Sequence, residues 1–160
     1  MGDDAKLLDI VTSTNVACGF HAGDPDVMMK TMSLAEKNGV GIGAHPGFAD
    51  LQGFGRFRLN IPIPTLQNQI RYQIGAAAAM ARAAGTQLRH VKLHGALSNM
   101  ASEDEHMARA FYEATLSVAP DLAIMVLAGT AQMEAVKHLG CKWVGEVFAD
   151  RAYNDDGTLV

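Results

Sequence analysis

The chain has 160 residues, 49% of them hydrophobic and 19% charged, and a net charge of -4. That composition fits one globular domain with a real core, and the acidic balance without any basic cluster argues against nucleic acid as a partner. The longest apolar run, Leu122 to Ala128, falls far short of the ~18 residues a spanning helix needs, and the acidic start Met1-Gly2-Asp3-Asp4 is unlike a signal peptide, so a cytoplasmic protein without a membrane segment is expected.

Leu7, Leu8 and Val11 have helical spacing, so the chain opens with a helix over Asp4 to Val11 that no strand precedes. Asn15 to Cys18 then reads as a strand that breaks at Gly19, exposes His21, and restarts at Asp24-Pro25. There a capping carboxylate is followed by proline at the first helical position. Met28, Met32 and Ala35 form the buried stripe of the next helix, closed by Gly39.

Val40 to Ala44 is a second strand, ending in His45-Pro46-Gly47. Pro46 to Pro64 lacks periodicity, and an ordered loop of that length is usually functional. It carries Gly47, Gly53 and Gly55 with Arg56 and Arg58 behind them, a combination suited to an anion, although a solvated arginine pair explains it equally well. The loop is neither a Walker A loop nor a dinucleotide fingerprint.

A long helix from Pro64 buries Leu66, Ile70, Ile74, Ala77 and Ala81 and stops at Gly85. The strand Leu88 to Leu93 follows and ends in His94-Gly95, with Lys92 and His94 on one side of the pleat. A lysine there is placed to bind an anion or to lower the pKa of its neighbour. Ser102 and Glu105 form a capping box for a helix with the stripe Met107, Phe111, Ala114 and Val118. The buried strand Leu122 to Ala128, a helix capped by Thr130 and ended by Gly140, and a strand over Lys142 to Phe148 complete the pattern. Asp150 and Arg151 then stand just past a strand end, where a surface ion pair is the plain alternative to a site.

Five strands alternating with helices predict a parallel α/β fold. In such a fold all strand C-termini open on one face, so His21, His45 and His94 converge on a shared site although each alone would read as a turn residue. The position of His94 at a turn also predicts that it contributes little to the core. Cys18 and Cys141 lie in strand-like runs and read as reduced thiols of a core, Cys18 being a small core residue before it is a nucleophile.

The segments Met1 to Asp4, Asn15 to Pro25 (Asn-Val-Ala-Cys-Gly-Phe-His-Ala-Gly-Asp-Pro), Gly43 to Gly47, Asp50 to Arg56, His90 to Leu97 and Glu146 to Tyr153 resemble, in this order, the motifs of the LamB/YcsF family. The resemblance covers the whole chain and implies an incomplete parallel β/α barrel of the glycoside hydrolase and deacetylase type. Residues 1–160 would form a single domain lacking the family's first acidic segment and its C-terminal continuation. It further implies ATP-dependent opening of 5-oxoproline to glutamate, carried out with 5-oxoprolinase subunits B and C.

On these motif positions His21, His45, His94, Asp24 and Lys92 are the candidate catalytic residues, and Arg56, Asp150 and Arg151 the candidate substrate-binding ones. One histidine would serve as general base on water, Asp24 would orient a histidine or cap its helix, and Lys92 or Arg151 would hold the substrate carboxylate. No residue is assigned to a metal. A second reading is a deacetylase-like hydrolase in which two histidines and an aspartate bind a divalent ion, against which the missing N-terminal carboxylates count. A third is a catalytically silent fragment. Two departures from the family pattern stand at Leu93, for proline, and at Ser98, for tyrosine, and the second removes a phenol from the expected substrate site.

Overall fold

The computed structural model of the chain describes residues 4–155, so Met1-Gly2-Asp3 of the acidic start lies outside the described residues, as do residues 156–160. Its elements run α1 (Asp4–Leu8), β1 (Ser13–Ala17), α2 (Pro25–Lys37), β2 (Gly41–His45), α3 (Ile63–Ala83), β3 (Leu88–Lys92), α4 (Gly95–Glu103), α5 (Glu105–Val118), β4 (Ala123–Leu127), α6 (Ala131–Leu139) and β5 (Trp143–Glu146). The five strands pair in parallel in the order β1-β2-β3-β4-β5. Right-handed crossovers that always step the same way lay their helices on one face, as in the wall of a barrel rather than a doubly wound sheet. Along that face α2 packs on α3, α3 on α5 and α5 on α6. Among the described residues β1 and β5 each have a single strand neighbour, so both are edges.

The core lies between sheet and helices. Ile42, Val91 and Ile124 from the central strands meet Met32 and Ala35 of α2, Phe111 of α5, and the α3 stripe Leu66, Ile70, Ile74, Ala77 and Ala81, all of them buried. The helical spacing of that stripe in the sequence is therefore the packing face itself. Asp24 caps α2, its Oδ1 accepting from the Val27 N–H at 2.8 Å, and Gly140 ends α6 in the left-handed conformation.

Several local expectations are corrected. The first helix stops at Leu8, its one buried apolar residue among those predicted, while Leu7 and Val11 stay exposed. Ser102 does not cap a helix, because a separate helix, α4, already runs through it; its hydroxyl donates to the Asn99 carbonyl, and Asp104 caps α5 by accepting from the Met107 N–H at 3.0 Å. Of the predicted α5 stripe, Phe111 and Ala114 are buried and Met107 is half-buried, with Ala108, Tyr112 and Thr115 buried beside them, while Val118 is exposed. Cys141 and Lys142 precede β5, and the Thr130 hydroxyl is turned back to the Leu127 carbonyl rather than to the helix.

On the sheet face away from the helices, Asn15, Gly43 and His90 share one row of the strand register. His90 Nε2 donates to Asn15 Oδ1 at 2.8 Å, and its ring crosses directly over Gly43, where an added Cβ would stand 2.1 Å from Nε2. Gly43→Ala must therefore displace His90 and break its bond to Asn15. Urea denaturation should register a loss of ~1–3 kcal/mol; unchanged stability would mean that His90 is free to move aside.

Candidate active site

The C-terminal ends of the first three strands deliver one imidazole each. His21 lies in the turn between β1 and α2, His45 is the last residue of β2, and His94 follows β3 as the residue before α4. The rings of His21 and His94 stack with centroids 3.7 Å apart and planes 6° from parallel, and His45 meets both edge-on, at 5.7 Å and 4.9 Å. Phe54 closes the group edge-on against His21 and His94. The expected convergence at one mouth of the sheet is what the fold produces.

Backbone geometry makes that density possible. Gly55 has φ +64°, and a Cβ there would lie 2.8 Å from His21 Cβ; at Gly47 it would lie 2.6 Å from His21 Nδ1. The loop after β2 is pinned by Gln73 of α3, fully buried, whose amide accepts from the Gly47 N–H at 3.0 Å and donates to the Gly47 carbonyl at 2.9 Å. The His94 N–H donates to the Pro46 carbonyl at 2.9 Å, tying the third strand end to the second.

A carbonyl oxygen only accepts, so the ring nitrogen facing one carries the proton. His45 Nδ1–H donates to the Lys92 carbonyl at 2.6 Å, and His94 Nε2–H donates to the Phe54 carbonyl at 2.7 Å. The remaining nitrogens, His45 Nε2 and His94 Nδ1, face each other at 3.1 Å, and His21 Nδ1 is buried with no hydrogen-bond partner.

Burial disfavours the imidazolium at each position. It pushes His45 down to about 3, only partly countered by the bond to the Lys92 carbonyl and reinforced by the charges of the other two histidines and Lys92. Burial, then the neighbouring His94, takes His21 to about 4. His94 is lowered by burial and by the Arg56 and Lys92 charges, against the pull of the Phe54 carbonyl. All three are neutral near pH 7.

Two cavities meet at this cluster. One of about 480 Å³ is mainly apolar, between α1, α2 and β1, and reaches His21, His45 and His94 past Asn15 and Ala17. The other, about 550 Å³, is lined by His45 and His94 together with Arg56, Lys92, Glu146 and Arg151. Its charged wall holds three cations against one carboxylate in a chain whose net charge is -4. Lys92 Nζ pairs with Glu146 and lies 4.7 Å above the Phe148 ring, and the Arg151 guanidinium lies 5.2 Å over the same ring.

Of the residues expected at the site, His21, His45, His94, Lys92, Arg56 and Arg151 come together, while Asp24 and Asp150 do not. Asp24 is exposed on the helix-capping side, lines neither cavity and orients no histidine, since its carboxylate is engaged by Val27. Asp150 is exposed beyond β5 and lines neither cavity. No aspartate joins two histidines; among the described residues the group able to ligate a metal is three histidines. Arg58 is drawn away into an exposed bidentate pair with Glu103. The expectation that His94 adds little to the core also fails, because its stacked ring is buried. Cys18 is buried with its thiol pushed up to about 12 by desolvation, which leaves it without nucleophilic character.

Sequence reasoning does not single out Glu146, yet it ends β5 as His45 ends β2, so the strand-end rule that finds the histidines identifies it too. Phe54 and Gln73 carry no such signal. No helix among the described residues is long and apolar enough to cross a membrane.

The sequence profile of the LamB/YcsF family matches residues 1–160. The 5-oxoprolinase A-subunit of Ruegeria pomeroyi is 70% identical over 160 residues, covering 100% of this chain and 63% of that protein. Its counterpart in Rhodopseudomonas palustris is 55% identical over 161 residues, again spanning 63% of the relative. The crystal structure of a lactam utilization protein from Thermus thermophilus superimposes with a TM-score of 0.95 at 41% identity, over 100% of this chain and 65% of that one. The chain thus spans somewhat less than two thirds of the length of these relatives.

Histidines held neutral below their unfolded pKa of 6.5 make stability pH-dependent. Above 6.5 both folded and unfolded forms are neutral and the stability is fully present; below it the unfolded chain takes up protons that the folded cluster refuses until about pH 4 to 3. With a chelator in the buffer, the melting temperature should fall steadily from pH 7 to pH 4, and the slope should be shallower in His45→Gln. A melting temperature that stays level over that range would contradict a desolvated neutral cluster.

Proposed function

The chain belongs to the LamB/YcsF family, and we propose that it carries the water-activating part of a lactam-opening hydrolase, the A-subunit of a 5-oxoprolinase that works with two further subunits, B and C. The observation that supports this best is the meeting of three neutral imidazoles with a cation-lined cavity of about 550 Å³.

5-Oxoproline is a five-membered lactam bearing one carboxylate, small enough for that cavity. Arg56 and Arg151 supply guanidinium forks suited to the carboxylate, and Phe148 a flat apolar wall for the ring. Lys92 is already neutralised in part by Glu146, so it serves better to hold the cavity wall than to grip the anion. The lactam carbonyl then faces the histidine cluster. His45 is the imidazole best placed to accept a proton from water, because its Nδ1–H is anchored on the Lys92 carbonyl and its Nε2 lone pair points inward. Its low pKa makes it a weak base in the empty site. A substrate carboxylate nearby favours the imidazolium and raises that pKa toward the working range.

ATP belongs to this reading through the family resemblance, and the same cationic wall fits a phosphate as well as a carboxylate. When bound, it supplies phosphoryl activation of an otherwise unreactive amide oxygen. The cytoplasm, with its reducing thiol balance, agrees with two free cysteines.

In an assay of the full-length protein with subunits B and C, ATP and 5-oxoproline, His45→Gln should lower kcat by ~10²–10⁴-fold. Arg56→Ala should act mainly on KM. Equal loss of kcat in both variants, or full activity in His45→Gln, would remove this division of roles.

A further inference from the structure

We infer that His21, His45 and His94 form a binding site for one divalent transition-metal ion of the zinc class. The inference is independent of the lactam reading, since it stands on the donor set alone.

The first ground is the opposed pair of nitrogens. With the His45 Nδ1 and His94 Nε2 protons committed to backbone carbonyls, His45 Nε2 and His94 Nδ1 turn lone pairs toward each other across 3.1 Å. Two acceptors facing each other repel unless an electropositive centre lies between them. Two imidazole nitrogens bound to one tetrahedral ion at ~2.0–2.1 Å stand roughly 3.3 Å apart, close to the separation observed.

The second ground is support from behind. Metal-bound histidines characteristically donate their other N–H to a carbonyl or carboxylate, which fixes both tautomer and ring direction. Here both do so before any ion is considered. The third is His21, whose buried Nδ1 has no hydrogen-bond partner; the ligand atoms of the three rings lie within 4.8 Å of one another. The His21 ring stacks face to face on His94, and a turn of its side chain would bring a third nitrogen toward the point between the other two, which are already placed.

Three neutral imidazoles match the borderline preference of zinc, and the absence of a carboxylate or thiolate from the described cluster argues against calcium or magnesium. A fourth position would open on the two cavities that His45 and His94 border, as in zinc sites that keep a place for water. With an ion bound, His45 Nε2 would be a ligand, and the ion would take over the water activation proposed for that nitrogen in the metal-free site.

The test uses the full chain, stripped with chelator, shown to be folded by circular dichroism, and titrated with Co²⁺ and Zn²⁺. Saturation at one ion per chain is expected, with visible d–d absorption for cobalt and an X-ray absorption spectrum of the zinc form that fits three imidazoles. His45→Gln and His94→Gln should each weaken affinity on the order of 100-fold or more, beyond what loss of a supporting hydrogen bond costs. His138→Gln, at an exposed histidine paired with Glu105, should bind as the parent does. The proposal is overturned by a folded parent that binds no ion saturably, by a spectrum with fewer than three imidazoles, or by unchanged affinity in both cluster variants. Should those variants fail to fold, the parent spectrum decides by itself.

Discussion

The structure depends on holding three largely buried imidazoles side by side. Each is carried by a different strand end, and none has a charged partner to offset its desolvation. What holds them is backbone: the carbonyls of Lys92 and Phe54 fix two rings, and glycines at 47 and 55 let the loop after β2 close over the third. Gln73 then clasps Gly47 from α3, so the longest helix of the fold, whose buried stripe forms much of the core, also positions the site. The histidine cluster and the core are joined through this one side chain.

The same arrangement sets the electrostatics. Burial is the main reason the histidines stay unprotonated; the Lys92 charge adds to it at His45 and His94 and the Arg56 charge at His94, and both cations also belong to the cavity wall. Glu146 tempers the wall at Lys92 alone. An incoming anion therefore meets unbalanced positive charge and, once bound, raises the basicity of the imidazoles beside it. On the proposed reading, the charge of a bound substrate would in this way be linked to the activation of water.

Much of this is legible in the sequence because it follows from periodicity and from strand ends. The α3 stripe, the Asp24-Pro25 helix start and the three histidine turns are local patterns whose consequences a parallel sheet enforces. Illegible are features without a local signature. Helix α4 begins at His94-Gly95 with no capping side chain, so nothing announces it, and Ser102 reads as the start of the next helix although it sits in the last turn of this one. Asp24 looks equally suited to cap or to catalysis, and only the direction of its carboxylate separates the two. The burial of His94 and the clasp of Gln73 are tertiary facts, set by residues dozens of positions away.

The central claim is that the ring protons of these histidines are fixed by backbone carbonyls, leaving neutral lone pairs turned inward. Nitrogen NMR of the metal-free chain, with histidine rings labelled, reads that directly. The Nδ1–H tautomer is expected for His45 and the Nε2–H tautomer for His94, with His45 not titrating between pH 5 and 8, roughly the range over which an ordinary histidine changes charge, and His94 titrating below its ordinary value. Mixed tautomers, or titration near the ordinary value of 6.5 at either position, would contradict it.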